Sequence, residues 1–279
     1  MSDPSFRAHG FRLQQLCEFL DISRQAYYRR KKQTEKKLLE QELIIQKVKE
    51  LRGFMPRLGT RKLYYKIREE GIPVKIGRDG LFALLKEHNL LIRPKRQYVR
   101  TTNSNHFFWV YSNQIKQLVI DHPGQVIVSD ITYLKTVEGF CYLFLITDVY
   151  SRKILGHYLS KTLEAGDAAV ALNKALFQIT NPEGMIHHSD RGIQYCSKEY
   201  TALLKRNGVK ISMGEAGNPY ENAIAERVNG ILKYEFMLNT TFNSFRDARL
   251  AVDEAVNIYN SMRPHLSLNF LTPNQIYAA

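Results

Sequence analysis

Apolar residues recur along this chain with two different rhythms, and the change falls a little past residue 100. Leu13, Leu16, Cys17 and Leu20 stand at helical spacing, which predicts a short helix. Asp21-Ile22 interrupts the pattern. Ser23, whose hydroxyl can accept from a free first-turn amide, then caps a second helix over residues 24–32. Residues 38–51 read as a longer amphipathic helix. Thr60 caps another over residues 61–69, with Leu63, Tyr64 and Ile67 inward. Gly71 and Pro73 force a turn, and residues 78–88 give a further helix with Leu81, Phe82, Leu84 and Leu85 inward. Residues 101–105 are polar and without periodicity, which predicts a linker.

Beyond the linker the rhythm becomes that of strands. Residues 125–133 are apolar and β-branched after a Pro123-Gly124 turn, and two more apolar runs follow at 140–146 and 152–159. The short turns between them predict an antiparallel meander. A helix over 163–178, a strand over 185–188, a helix over 197–207, a strand over 209–213 and helices over 222–236 and 245–261 complete the pattern. Three antiparallel strands followed by strand–helix alternation predict an α/β fold: a mixed central sheet with flanking helices, preceded by an all-α region.

Charge divides the chain at the same place. The net charge is +13, and residues 1–105 hold 24 Lys and Arg against 11 Asp and Glu, whereas residues 106–279 hold 16 of each. Two domains are expected, a basic one over 1–105 and a neutral one over 106–279. A charge excess confined to one domain points to a polyanion partner, most simply nucleic acid. With 44% apolar residues, the chain can bury a core and is not of the disordered class. Cys17, Cys141 and Cys196 are far apart and form no CxxC pair, against a disulfide scaffold or a Cys-rich zinc site. No apolar run approaches the ~18 residues of a membrane span. Residues 1–10 have no apolar core of the signal-peptide kind. A cytosolic, reduced protein without a membrane partner is expected.

A short helix, a tight turn and a second helix carrying Arg24, Arg29 and Arg30 make a helix-turn-helix pattern. A solvated basic hairpin reads from the same residues equally well. A second such unit holds Arg61, Arg78 and Lys86, and the run with Lys95 and Arg96 follows it. Two units carrying all the net charge favour phosphate neutralisation over a merely solvated face.

In the neutral part the carboxylates carry the chemistry. Asp130 sits inside an apolar strand, where a charge is costly to bury. Asp190 ends a strand segment, and Glu226 lies on the 222–236 helix. Two acids at a sheet edge, faced by one from a helix, supply the oxygen ligands that two Mg²⁺ ions require, with Mn²⁺ as a substitute. Singly, each has a plainer reading: Asp130 pairs with Arg or caps a turn, Asp190 makes an Asx turn with Gly192, and Glu226 is a surface charge. Lys233 shares a helix face with Asn222 and Glu226, and contact with DNA and simple solvation fit it equally. His188 either orients Asp190 or touches phosphate, while His187 reads as a satisfied core histidine. Asp148 also ends a strand, but Thr147 and Ser151 beside it suit a hydrogen-bonded turn.

Taken together, the segments Ser129-Asp130-Ile131-Thr132-Tyr133, Thr147-Asp148-Val149-Tyr150-Ser151-Arg152, His188-Ser189-Asp190-Arg191-Gly192-Ile193-Gln194-Tyr195 and Asn222-Ala223-Ile224-Ala225-Glu226 are distinctive. So are Gly59-Thr60-Arg61, Tyr259-Asn260-Ser261-Met262-Arg263-Pro264-His265 and Thr272-Pro273. With 35 residues between Asp190 and Glu226, the chain resembles the DDE transposases of bacterial two-frame insertion sequences, specifically the catalytic second-frame product. It departs from them in having Val126-Ile127 where a Trp is usual, and Glu221-Asn222 where Asp-Asn is usual.

The resemblance implies a ribonuclease-H-like, retroviral-integrase-like core with a C-terminal helical tail, and Asp130, Asp190 and Glu226 as metal ligands. It implies hydrolytic nicking at the element ends to free a 3′-OH, then in-line attack by that hydroxyl on double-stranded target DNA. A homo-oligomer in the synapse, an upstream-frame DNA-binding product as partner and a bacterial, nucleoid-associated setting are implied as well. The rival readings are a nuclease or junction resolvase that never joins strands, and a DNA-binding repressor with a decayed core. The paired basic units and Arg263-Pro264-His265 weigh against the first, and the intact carboxylates against the second.

Overall fold

The structure is a computed structural model of the chain, and it describes residues 12–72, 75–92, 109–214 and 222–279. Expectations placed on residues 1–10, Lys95, Arg96, the 101–105 linker and Glu221 lie outside the described residues. The chain divides into two compact units, Met1–Glu50 with Ile67–Leu91, and Leu51–Lys66 with Ile92–Ala279.

The leading helices are α1 (Leu13–Phe19), α2 (Arg24–Phe54), α3 (Thr60–Glu69) and α4 (Arg78–Glu87). The separate helices expected over 24–32 and 38–51 are one continuous helix. Neither Gly nor Pro occurs between Arg24 and Leu51, and the Gln33–Lys37 join consists mostly of good helix formers, so nothing breaks the ladder. Lys31 and Glu35 add an i,i+4 ion pair across that join. Ile44, Ile45 and Val48 form the buried stripe of this helix within the smaller unit, and Ile67, Leu81, Leu84 and Leu85 are also buried there. Phe82 was expected inward but is 37% exposed, because the i, i+3, i+4 stripe of α4 runs through Leu81, Leu84 and Leu85 and leaves it off the seam.

The larger unit is built on a mixed sheet. Its strands are β1 (Val126–Thr136), β2 (Gly139–Asp148), β3 (Ile154–Ser160), β4 (Ile186–Ser189), β5 (Lys210–Met213) and the two-residue β6 (Thr241–Phe242). Spatial order is β3-β2-β1-β4-β5, with β6 on the far end of β1. β1, β2 and β3 are the expected antiparallel meander, while β4 joins β1, and β5 joins β4, in parallel. The helices are α5 (Ala165–Phe177), α6 (Ile193–Cys196), α7 (Lys198–Arg206), α8 (Ala223–Tyr234), α9 (Phe245–Ser261) and α10 (Pro273–Tyr277).

Alternation along β1 feeds two cores. Ile127 packs with Phe144, Leu155, Leu172, Tyr200 and Leu204, whereas Val126 and Val128 pack with Val149 and Ala225. Helix α5 lies close on β3, and a Cβ at Gly156 would collide with the Ala171 carbonyl oxygen and stand 2.8 Å from the Ala175 nitrogen.

Residues 51–66 belong to the larger unit, and charge ties them to it. Lys62 Nζ donates to both oxygens of Glu235 at 2.8 Å. Arg263 donates to the same carboxylate through Nε and Nη2, both at 2.9 Å. The Arg57 amide donates to the Glu235 carbonyl at 3.1 Å, and the Tyr65 ring stacks on Phe270 at 4.9 Å. The front motif around Thr60 and the tail motif around Arg263 therefore meet on one glutamate.

Candidate active site

The site grows from the register of two strands. β1 and β4 pair Val126 with Ile186, Ile127 with His187 and Val128 with His188. Carried two residues on, this offset brings Asp130 level with Asp190, just past the last residue of β4. Asp148 pairs instead with Ile127, three residues back along β1, about 10 Å from Asp130 at strand rise. The sheet thus sets two aspartates together and the third apart.

Glu226 comes from the first turn of α8. Its amide donates to the carbonyl of Asn222, the residue preceding the helix, at 3.1 Å. Asp130 and Asp190 are partly buried and Glu226 is exposed, so the cluster opens outward at the glutamate. The three carboxylates feel one another. Burial, then the Asp190 charge, push Asp130 up to about 7, and Glu226 adds to the rise. Burial and the Asp190 charge raise Glu226 as well. Among the described residues, no three His, Cys, Asp or Glu side chains gather tightly enough to hold one metal ion. The Asp190 charge is felt at both Asp130 and Glu226.

Two neighbours of Asp130 complete the picture. Asn229 Nδ2 donates to its Oδ2 at 2.6 Å, and the Ile131 amide donates to its Oδ1 at 2.9 Å. Lys233 holds its ammonium 4.2 Å from the centre of the Tyr133 ring. Burial lowers its pKa and the Asp130 charge pulls it back up, so this lysine is partly withdrawn from water and faces the acidic cluster. Asn229 was not anticipated. Its signal was the spacing 222, 226, 229, 233, which sets four polar residues on one face of a helix whose other face is apolar.

The other expected residues sit in differing surroundings. Asp190 makes the Asx turn expected of a plain reading, accepting from the Gly192 amide at 3.0 Å. His187 is a core residue as expected, but only half satisfied: its Nε2 lies 2.5 Å from Ser129 Oγ and 2.9 Å from the Tyr200 hydroxyl, while its buried Nδ1 has no hydrogen-bond partner among the described residues. His188 is wholly buried, with Nδ1 2.9 Å from Ser212 Oγ, and of its two expected roles burial weighs against the phosphate contact. Arg24, Arg29, Arg30, Arg78 and Lys86 are exposed in the smaller unit, and Arg61 is exposed in the larger. Arg78 pairs with its neighbour Asp79 at 3.0 Å.

Comparison with known proteins places this geometry. Two models described as integrase core domain match residues 120–219 and 207–273. The 31 kDa protein of insertion element IS600 from Shigella sonnei is 36% identical over 263 residues, covering 92% of this chain and 96% of that protein. The transposase InsF of insertion sequence IS3A from Escherichia coli K12 is 30% identical over 271 residues, covering 95% and 93%. Among solved structures, a chain of the simian T-cell lymphotropic virus intasome, in complex with PP2A regulatory subunit B56 gamma, superposes with a TM-score of 0.50. It is 19% identical and covers 82% of this chain and 74% of that one, a likeness of fold alone. With transposase relatives aligned along nearly its whole length and an integrase core over its mixed sheet, the chain belongs to the IS3 family of insertion-sequence transposases, DDE-type polynucleotidyl transferases.

Proposed function

We propose that Asp130, Asp190 and Glu226 are the catalytic, metal-holding carboxylates of this transposase, and that the chain nicks the 3′ ends of its element and joins them to target DNA. The observation that carries this is the parallel register of β1 and β4, which sets Asp130 beside Asp190, with Glu226 close enough to raise the affinity of Asp130 for its proton. The donor set fits hard divalent cations: it is all carboxylate oxygen, partly buried and in excess negative charge. Two Mg²⁺ ions, or Mn²⁺ in their place, would be held by Asp130, Asp190 and Glu226. When bound, such ions activate an attacking oxygen and stabilise the leaving one.

The protein's own part is positioning and charge. Asp130 stands within the long strand β1 and Asp190 just past the end of β4, side by side on one sheet, and Glu226 is presented from the start of a helix. Lys233, stacked on Tyr133, supplies a cation beside the carboxylates for a DNA phosphate. Residues 1–105 act as the DNA-binding region ahead of the 106–279 core and its helical tail. Their helix-turn-helix units contact double-stranded DNA through Arg24, Arg29, Arg30, Arg61, Arg78, Lys86, Lys95 and Arg96, and affinity falls steeply with salt. Element ends and target meet in a homo-oligomeric synapse on the nucleoid, with an upstream-frame product as a DNA-binding partner.

The test is strand transfer in Mg²⁺ with Asp130→Asn, Asp190→Asn and Glu226→Gln, each of which keeps size and removes a charged ligand. Loss of nicking and joining with retained DNA binding is expected for all three. Cleavage at the wild-type rate by any one removes that residue from the site.

A further inference from the structure

Two asparagines bracket Glu226: Asn222 caps α8 four residues before it, and Asn229 lies within α8 three residues after. Both are buried, although a buried amide is costly unless paired. Both reach consecutive residues of β1: Asn222 Nδ2 donates to the Ser129 carbonyl at 3.1 Å, and Asn229 Nδ2 donates to Asp130 Oδ2 at 2.6 Å. A carbonyl oxygen can only accept, so the Asn222 amide nitrogen must face the strand, and Asn229 Nδ2 faces it in the same way whenever Asp130 is ionised. The two anchors are seven residues, about 10.5 Å, apart along the helix. Glu226 lies between them and is exposed while both of them are buried.

At Asp130, Asn229 on Oδ2 and the Ile131 amide on Oδ1 fix the plane of the carboxylate. Each oxygen keeps a further lone pair. A Lys or Arg at position 229 would orient the same group but neutralise it, competing with a divalent cation. A neutral amide orients the carboxylate and leaves its charge in place.

We propose, resting on the carboxylate reading above, that Asn229 is a positioning residue for the metal site, and that with Asn222 it sets Glu226 against Asp130 and aims the Asp130 carboxylate. The measurement is Mn²⁺ binding to the full chain by calorimetry, alongside the metal-free melting temperature, kcat and the half-saturating DNA concentration. In Asn229→Leu the Mn²⁺ dissociation constant is expected to rise by about 10–100-fold, with a matching fall in kcat. Half-saturating DNA should be unchanged. Asn229→Ser, a smaller change for a buried position, should move the same quantities in the same direction, and Asn222→Ala should do so less. A folded Asn229 variant with wild-type Mn²⁺ affinity and kcat overturns the proposal, as do losses that only track the fraction of folded protein. Asp130→Asn is the control. If it binds Mn²⁺ as the wild type does, the carboxylate reading itself has failed, whatever Asn229 does.

Discussion

Ser151 donates twice to one oxygen of Asp148, through its hydroxyl at 2.6 Å and its amide at 2.7 Å. The other oxygen accepts from the Gly124 amide at 2.8 Å, and the aspartate is fully buried. Such a carboxylate is spent on closing the turn after β2. Asp148→Asn replaces one accepting oxygen by an NH₂ that can only donate, so in either orientation the amide loses the Gly124 bond or the Ser151 pair. It should cost about 1–3 kcal/mol of stability. At equal folded concentration it should keep Mg²⁺-dependent strand transfer, whereas Asp190→Asn should not. Cleavage rates of the two single variants decide this, and the reverse pattern would exchange their roles.

Glu235 holds two cations in one partly buried place. Burial pushes its carboxyl up, but hydrogen bonds and charge from Arg263 and Lys62 outweigh that and hold it below its ordinary range. Burial and the Arg263 charge bring Lys62 down to about 8. Glu235→Gln leaves two nearby cations uncompensated and should cost about 3 kcal/mol or more. Lys62→Met leaves the Arg263 pair intact and should cost less. Urea unfolding of the two variants should rank them in that order, and equal midpoints would show that the triad is not an anchor.

At Gly156 the backbones of β3 and α5 approach too closely for any side chain. Gly156→Ala must push the helix off the sheet, a change expected to cost about 1–3 kcal/mol. A melting temperature equal to wild type would show that the helix can retreat without penalty.

His265 makes stability depend on pH. Burial, then the charges of Arg263 and Lys62, depress it to about 2, so it stays neutral in the folded protein. The unfolded chain takes up this proton near pH 6.5. Between those values the unfolded state binds more protons, so stability is full above about 6.5 and falls as pH drops. One such histidine contributes about 2 kcal/mol of loss between pH 6.5 and pH 5. His187, depressed to about 3 by burial and the neighbouring His188, acts in the same direction. In His265→Asn, the drop in urea midpoint from pH 7 to pH 5 should be smaller than in wild type. An unchanged drop would remove His265 from the acid response.

The sequence by itself determined the main strands and helices of the larger unit, because β-branched runs and 3.6-residue stripes are local signals, but it missed the short α6, β6 and α10, which are too brief to show a period. It also offered Asp130 as an acid inside an apolar strand, and the resemblance to insertion-sequence transposases joined Asp190 and Glu226 to it as a metal-ligand set. It mistook α2 for two helices, where a polar stretch hid an unbroken run of helix formers. It placed Phe82 inward, where only packing decides which edge of an apolar stripe is covered. Tertiary structure alone decided that the parallel offset of β1 and β4 sets Asp130 level with Asp190, whereas the turn that consumes Asp148 was already legible in the Thr147 and Ser151 beside it. It alone brought Asn229 to Asp130, 99 residues apart in the chain, and Lys62 to Glu235, 173 apart. Such pairings follow from strand register and from how one helix lies across a sheet, and local residue patterns encode neither.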